Sequence, residues 1–422
     1  MKRLRYNTEL KEQVLNESSI VDSARDLLIN EASIRLKYNY IGFFVVYFTL
    51  SSITVYLTIY LPVYLFSVLN VNRSDLAFIQ IFSYSVLFLA PILGFLFDKY
   101  TLYKKLLLNC SIFLFLFSSF ATLLSGRIVY LFGVFLALNL LSHETIKVGM
   151  GKILIESSPN EVIKDRILII INISSNIGGF LPSMVFLLII SNIYNLNLWT
   201  NFFLFGGISI LPILIALFCV DHNYIPQVKI KKPKVNENHK KKNYYQILFL
   251  TLSFIMIWSD KLYQYPFTPW ILSKFGQNGL KILSSSYGFF LILNTLGYVI
   301  GQKISKKFKR KNIILITNSL YICLICLMSF SNLHFLLILY ALNWFVSGIM
   351  LLNYTSLIIS FSKHVKYRNV SYQMLRFAVA IASVIFIPLG TFLSSIISTE
   401  FLILMAGFLS FFSLIPLFFI KT

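Results

Sequence analysis

The chain has 422 residues, of which 57% are hydrophobic and only 13% are charged. Soluble domains carry about 25% charged residues, so the composition excludes a soluble protein and indicates one surrounded largely by lipid. The formal charge of +21 does not indicate a nucleic-acid-binding protein, because the basic residues stand mostly in short segments between apolar runs, where they orient membrane helices.

The chain begins with a polar, charged segment, residues 1–40, in which we expect no cleavable signal peptide. Residues 8–36 can form either an amphipathic helix on the membrane surface or a weakly ordered tail. Twelve apolar runs of about 20 residues follow, each long enough to cross a bilayer as a helix. The predicted spans cover residues 41–67, 75–97, 105–125, 128–150, 166–191, 196–220, 246–272, 282–303, 311–331, 333–360, 371–396 and 399–420.

The connections between the spans are short, except for a lysine-rich polar stretch that we interpret as a linker. With the N-terminus in the cytoplasm, 30 of the 37 Lys and Arg residues fall on the cytoplasmic side, as the positive-inside rule requires. We therefore predict an integral protein of the plasma membrane with both termini cytoplasmic. Its predicted parts are a cytoplasmic N-terminal segment (1–40), an N-terminal six-helix bundle (41–220), a basic cytoplasmic linker (221–245) and a C-terminal six-helix bundle (246–422).

A sequence repeat relates the two halves. Two six-helix halves in the same orientation are typical of one large class of transporters. The predicted fold class is an all-α polytopic membrane protein with about twelve transmembrane helices in two pseudo-symmetric six-helix bundles. The prolines of the repeat free backbone carbonyls and are predicted helix hinges. The landmarks that recur after 206 or 207 residues are Pro62 and Pro269, Gly94 and Gly301, and Pro182 and Pro388.

Three short motifs resemble those of the major facilitator superfamily. The resemblance implies a transporter that moves a solute by rocking two bundles around a central cavity, which is lined by spans one, four, seven and ten. Asn139 stands where many proton-coupled members carry a basic residue, so a proton-antiport mechanism is not carried over. The motifs are Gly94-Phe-Leu-Phe-Asp98-Lys99-Tyr100 with Lys104 and Lys105, Ser158-Pro159-Asn160-Glu161 to Asp165-Arg166, and Gly178-Gly179-Phe-Leu-Pro182.

A gate is predicted at the loop after span two. Gly94 permits close helix approach, and Asp98 is placed to pair with a basic residue or a helix N-terminus of the other bundle. Lys99 follows Asp98, and the second copy of the motif contributes Gly301 and Arg310. The alternative is that this is simply a basic loop on the cytoplasmic side.

Two clusters of ionisable residues lie within predicted spans. Such residues usually face a cavity or a partner, because each costs about 2.5–3.5 kcal/mol to insert. Span four carries His143, Glu144 and Lys147, and span seven carries Asp260 and Lys261. We predict that Asp260 pairs with Lys147 or Arg376, and Lys261 with Glu144. The alternatives are a solvated rim for span four and a structural ion pair for span seven.

Polar and aromatic residues at helical spacing complete the predicted cavity and suit a small polar organic solute. Charges of both signs favour a zwitterionic or anionic metabolite, with Asp260 or Glu144 as proton carrier, while a sugar or a lipophilic cation stays open. Besides the charged residues, the predicted cavity and coupling residues are Asn139, Tyr263, Gln264, Asn343, Trp344 and Asn353.

Motifs for enzyme chemistry are not found in the sequence, so we predict a non-enzyme without cofactor or metal. Cys323 and Cys326 stand in an apolar run without a second pair and are predicted to be core residues. The expected partners are a small-molecule solute and the lipid bilayer, with no nucleic acid, and the chain is expected to act as a monomer. A membrane-embedded enzyme, a lipid-handling protein and a transporter-like sensor that has lost transport remain alternatives.

Overall fold

The structure is a computed structural model that describes residues 39–100, 103–125, 128–156, 161–220, 237–362 and 368–420. The predicted N-terminal segment, apart from Asn39 and Tyr40, and residues 221–236 of the predicted linker lie outside the described residues. Residues 237–245, predicted to be linker, are helical and extend the seventh span toward its N-terminus.

Eleven helical segments of the described chain are long and apolar enough to cross a membrane. One of them, Asn243–Ile304, has 62 residues, which corresponds to about 93 Å at 1.5 Å per residue, three times the hydrocarbon core of a bilayer. Gly276 interrupts it with a φ of 66° and a ψ of −168°, a conformation that suits glycine. The segment therefore crosses twice, which brings the number of spans to the predicted twelve; the predicted connection at 273–281 is helical apart from Gly276.

We number the twelve helices in chain order. Their alternating direction defines two ends of the molecule: the N-side, where the first helix begins, and the far side. The all-α fold predicted from the sequence is confirmed. The helices are α1 (Asn39–Val68), α2 (Arg73–Lys99), α3 (Lys104–Leu124), α4 (Val129–Glu156), α5 (Glu161–Phe186), α6 (Leu196–Cys219), α7 (237–275), α8 (277–304), α9 (Arg310–Met328), α10 (Leu333–Ser362), α11 (Arg368–Leu393) and α12 (Thr399–Phe418).

Three helices that line the centre of the molecule are locally distorted; in α2 the distortion is a 3₁₀ stretch at Val86–Leu89. In α1, π-helical stretches at Tyr56–Tyr60 and Tyr64–Val68 flank the turn that contains Pro62. In α7, residues Trp258–Asp260 form a 3₁₀ turn between two α-helical parts. Such irregular turns often mark functional hinges. The other predicted hinges, Pro182, Pro269 and Pro388, lie inside α-helical stretches.

The distorted turn of α7 is held in place by α11 and α12. Ser259 donates a hydrogen bond to the backbone oxygen of Ala406 at 2.9 Å, and its Oγ lies 2.8 Å from Ser410 Oγ. Gly390 lies directly against the backbone of Leu262, where a Cβ would clash with the Leu262 oxygen. These contacts fix the helix position of the next residues, Asp260 and Lys261.

The outer surface of the bundle is apolar, with exposed side chains such as Phe78, Phe218 and Phe330, as expected for a surface that faces lipid. Cys323 lies on this surface, and Cys326 is half-buried against Gly407. The prediction that both cysteines are core residues is therefore wrong for Cys323, because this face of α9 points outward.

Candidate functional site

A cavity of about 450 Å³ lies between the two bundles. It is lined by α1, α2 and α4 of the first bundle and by α7 to α11 of the second. Asn353 is placed outside it, fully buried, with its Nδ2 donating to the Ile349 oxygen at 2.8 Å. The other predicted cavity and coupling residues all line the cavity: Asn139, His143, Glu144, Lys147, Asp260, Lys261, Tyr263, Gln264, Asn343, Trp344 and Arg376.

Asp260 and Lys261 have different surroundings. Asp260 Oδ2 accepts a hydrogen bond from the Tyr321 hydroxyl at 2.8 Å. Lys261 Nζ lies 4.8 Å from the ring centroid of Trp258 and 3.5 Å from Gln264 Oε1. An ammonium over an indole face is stabilised by the ring quadrupole, so Trp258 and Gln264 orient Lys261.

The predicted ion pairs across the cavity are not those that form. Glu144 Oε1 lies 4.0 Å from Arg376 Nε, which connects α4 with α11. Within the described residues, neither Lys147 nor Lys261 has a carboxylate within 4.0 Å. The prediction failed because residue spacing gives the face of a helix but not the length and rotamer of a side chain across a cavity. Arg376 reaches further toward Glu144 than Lys261 does.

Several buried polar atoms of the cavity wall lack a hydrogen-bond partner within the described chain. Leaving such an atom unsatisfied costs about 1–3 kcal/mol, so their concentration around one cavity, on helices of both bundles, is typical of a site for a polar ligand. The five atoms are His143 Nε2, Glu144 Oε1, Trp258 Nε1, Asp260 Oδ1 and Asn343 Oδ1.

Two sets of contacts close the N-side of the cavity, and the first is made by the end of α2. Asp98 Oδ1 lies 2.7 Å from Lys152 Nζ on α4, and Asp98 Oδ2 accepts the backbone N–H of Val370 at 3.4 Å. Val370 lies in the first turn of α11, so the carboxylate meets a helix N-terminus of the other bundle. Gly94 permits this approach, because a Cβ there would lie 3.1 Å from Gln373 Cγ.

Lys99 does not take part in this contact in the structure. Its side chain is exposed, and its Nζ lies 5.7 Å and 5.2 Å from the ring centroids of Phe95 and Tyr100. A basic partner of Asp98 in the described part of the chain is Lys152, which the sequence motif did not indicate because it lies 54 residues away on α4.

The second N-side closure joins α5 to the second bundle. Arg310 Nη2 lies 3.2 Å from Asp165 Oδ2, and Ser356 Oγ donates to Asp165 Oδ1 at 2.8 Å. Arg310 Nη1 also lies 3.4 Å from Asn353 Oδ1, so Asn353 supports the closure instead of the cavity. Gly301 packs against Ile349 of α10, with 3.2 Å between an added Cβ and Ile349 Cα.

A buried amide network crosses between the bundles above this closure. Asn172 Nδ2 donates to Asn294 Oδ1 at 2.7 Å, and Asn176 Nδ2 donates to Thr295 Oγ1 at 2.7 Å. Asn294 in turn donates to the Trp344 oxygen at 2.9 Å, next to the cavity. Sequence reasoning missed this network, although two asparagines four residues apart on one face of a membrane helix are a recognisable signal.

The fold has counterparts among solved structures. The human organic anion transporter MFSD10 (TETRAN) is similar with a TM-score of 0.66 and 11% identity over 92% of this chain and 99% of that chain. The nucleoside transporter NupG is similar with a TM-score of 0.64 and 15% identity over 91% of this chain and 100% of that chain. No family model matches the chain, and no curated protein matches it in sequence. The chain therefore has the fold of these two proteins, in agreement with the helical architecture predicted from the sequence.

Proposed function

We propose that the chain is a secondary active or facilitative transporter that moves a small polar organic solute across the membrane by alternating access. The observation that supports this most strongly is the pair Lys147 and Lys261. They belong to different bundles, line one cavity and form no ion pair with a described carboxylate. A ligand that binds both would favour a state in which the bundles are close together.

The proposed solute carries an acidic group and is anionic or zwitterionic. The cavity is lined by Lys147, Lys261 and Arg376 against Glu144 and Asp260, so the basic groups exceed the acidic ones by one. Glu144 Oε1 and Asp260 Oδ1 accept no hydrogen bond among the described residues, so they offer acceptors for a second, cationic group of a zwitterion. Two of the proteins with similar folds are an organic anion transporter and a nucleoside transporter, and both kinds of solute are polar organic molecules.

The proposal is tested by flux of a panel of labelled amino acids, carboxylates and nucleosides into proteoliposomes that contain the purified chain. We expect saturable uptake of at least one acidic solute. Lys261→Gln should reduce it at least about tenfold, since a lost charge-assisted hydrogen bond costs about 1.5–3 kcal/mol. Lys281→Gln removes an exposed charge on α8 and serves as the control with unchanged uptake.

Absence of flux for the whole panel would overturn the proposal. Binding without flux would favour the sensor that has lost transport, and chemical conversion of a solute would favour the membrane-embedded enzyme.

The proposed proton carrier is Asp260, because its Oδ1 has no hydrogen-bond partner while its Oδ2 is held by Tyr321. If transport is proton-coupled, Asp260→Asn should abolish the stimulation of uptake by an inward pH gradient. Exchange of labelled for unlabelled solute, which needs no net proton movement, should continue. A gradient response that persists in Asp260→Asn would exclude this role.

We further propose that the N-side is cytoplasmic, that the membrane is the plasma membrane, and that the monomer works as two bundles joined by the linker. The distribution of 30 of the 37 basic residues supports this orientation. A cysteine that replaces the exposed Lys307 on the N-side should resist membrane-impermeant reagents in intact cells and react after lysis. Labelling in intact cells would reverse the orientation.

A further inference from the structure

A second cavity of about 270 Å³ lies on the far side of the molecule, between the two bundles. We call it the outer pocket. Its charged residues are Arg73, at the start of α2, and Glu400, at the start of α12. Phe66, Pro269 and Trp270 contribute apolar walls. The outer pocket is therefore amphipathic, with charges at one part and aromatic surface at another.

Arg73 brings a positive charge into the outer pocket. Its Nη1 donates to the backbone oxygen of Ser394 and lies 3.2 Å from Ser394 Oγ. The guanidinium carbon lies 5.3 Å from the ring centroid of Phe66. Arginine has five N–H donors, and those on Nε and Nη2 have no partner among the described residues, nor does any described carboxylate pair with Arg73. Ser394 thus orients one side of the guanidinium, and the N–H groups on the other side can donate to a ligand.

Glu400 does not neutralise Arg73, because it pairs with another residue. Its Oε1 lies 2.6 Å from Lys274 Nζ, and Lys274 Nζ lies 4.9 Å from the ring centroid of Trp270. Nearby, Ser398 Oγ accepts the backbone N–H of Phe401 at 3.3 Å, which leaves the hydroxyl hydrogen of Ser398 as a donor. The pocket therefore offers a net positive charge and hydrogen-bond donors, the features that bind a carboxylate.

Two pairs of rings in the described residues join the wall of the outer pocket to the wall of the central cavity. Phe267 and Trp270 form one pair within α7, with centroids 5.8 Å apart, and the other pair joins the two bundles. Phe66 lines the outer pocket and Tyr265 lines the central cavity. The two rings are edge to face, with centroids 6.0 Å apart. Phe66 belongs to the first bundle and Tyr265 to the second, so this contact parts when the bundles separate on the far side.

We infer that the outer pocket is a second binding site, in which Arg73 and Ser398 hold the anionic group of a small organic anion and Trp270 contacts its apolar body. The site lies one aromatic pair away from the central cavity, on the path that a solute takes to or from the far side. Its place on that path rests on the proposed function; binding itself does not.

Binding is measured with iodide, an anion that quenches tryptophan fluorescence, on the purified full chain in detergent. Trp199, Trp258 and Trp344 are replaced by Phe, so that Trp270 alone reports. We expect quenching that saturates with iodide concentration and is reversed by benzoate, which competes for the site. Neutral acrylamide should quench linearly and resist benzoate.

Matched variants then distinguish specific binding in the outer pocket from non-specific electrostatic attraction of anions. Arg73→Gln should weaken iodide and benzoate binding at least about tenfold, since a charge-assisted hydrogen bond is lost. Arg73→Lys, which keeps the charge, should retain part of the affinity. Lys281→Gln removes an exposed far-side charge outside the pocket and should leave binding unchanged.

If the single-tryptophan chain does not fold, the chain with all four tryptophans is used, and Trp270→Phe must remove the saturable component. Linear quenching in the parent, or saturable quenching that survives Arg73→Gln, overturns the inference. A chain that binds iodide and benzoate here but moves no solute leaves the inference standing and contradicts the transport proposal.

Discussion

Two of the interfaces between the bundles differ in where their hydrogen bonds lie. In the interface of α2 with α11, here the first seam, Asp98 bonds Val370 at the N-side and Arg73 bonds Ser394 at the far side. In the interface of α5 with α8, α9 and α10, the second seam, bonds extend from Arg310 of α9 at the N-side to the asparagines in the middle of the helices. Leu87 of the first seam, 207 positions before Asn294, is apolar.

The difference indicates different roles in a rocking motion. Displacements are small near the axis of a rotation and large at the ends of the helices. Hydrogen bonds of the second seam in mid-membrane can therefore persist through the proposed cycle, whereas the terminal bonds of the first seam must break and form. We expect the second seam to act as the pivot, and the ends of the first seam to act as gates.

The largest loss of stability is expected when hydrogen bonds of the second seam are removed. Asn294→Leu removes the acceptor of Asn172 and the donor to the Trp344 oxygen. Each interhelical bond contributes about 0.6 kcal/mol, and the buried amide of Asn172 is left unpaired. We therefore expect the free energy of unfolding to fall by about 2 kcal/mol. The thermal unfolding midpoint in detergent measures this change. Leu87→Met, a volume-conserving change in the first seam, is the control and should cost less; equal shifts would remove the distinction between the seams.

The next effect concerns the N-side end of the second seam. Asp165→Asn removes the negative charge 3.2 Å from Arg310 while Ser356 retains an acceptor. Because the Asp165 side chain is 8% exposed and that of Asp98 is 13% exposed, losing this charge should cost more than at Asp98, about 1–2 kcal/mol. The exposed Asp75→Asn is the control for thermal unfolding. If Asp165→Asn lowered the thermal unfolding midpoint less than Asp98→Asn does, the expected order of the two effects would be contradicted.

Asp98→Asn should change conformation more than stability. It weakens the bond to the N-terminus of α11 and the ion pair with Lys152, at a cost of about 1 kcal/mol, which shifts a two-state equilibrium about fivefold. Spin labels at the exposed positions 105 and 307, in a chain without its native cysteines, should report a larger population of long distances. An unchanged distance distribution would argue against a gate at this end.

The smallest expected effect distinguishes the contributions of two lysines near Asp98 to the gate. Lys152→Gln removes the observed partner of the carboxylate and should reproduce the distance change of Asp98→Asn. Lys99→Gln should leave the distances and the unfolding midpoint unchanged within about 0.5 kcal/mol, because the side chain is exposed and contacts only neighbouring rings. If Lys99→Gln changed the spin-label distances as much as Lys152→Gln does, Lys99 would be part of the gate.

The fold could be predicted because its signals are local. Apolar length sets each span, and basic residues between spans set direction, so the twelve helices follow without knowledge of any contact. The sharp connection at Gly276 was missed, because residues 273–281 contain enough polar side chains to resemble a loop although all but one are helical. Single-residue breaks depend on backbone geometry that composition does not report.

The candidate site was predicted less completely, because its contacts are long-range. Charged residues in spans indicated which helices face the cavity, since burial of a charge has a cost that is visible in the sequence. The partner of each charge depends on side-chain reach across the cavity, as Arg376 and Glu144 illustrate. Asn353 looked like a cavity residue but lies one layer away beside Arg310, a difference in helix rotation that periodicity alone does not resolve.

The one-residue break at Gly276 has a mechanical consequence. It ties the far end of α7 directly to α8, whose asparagine belongs to the pivot, and Lys274 anchors the same end to α12. α7 is therefore attached to α12 at two levels, by Lys274 at its far end and by Ser259 in the 3₁₀ turn Trp258–Asp260. That turn presents Asp260 to the cavity, so a ligand that contacts this carboxylate acts on a part of α7 that is bonded directly to α12.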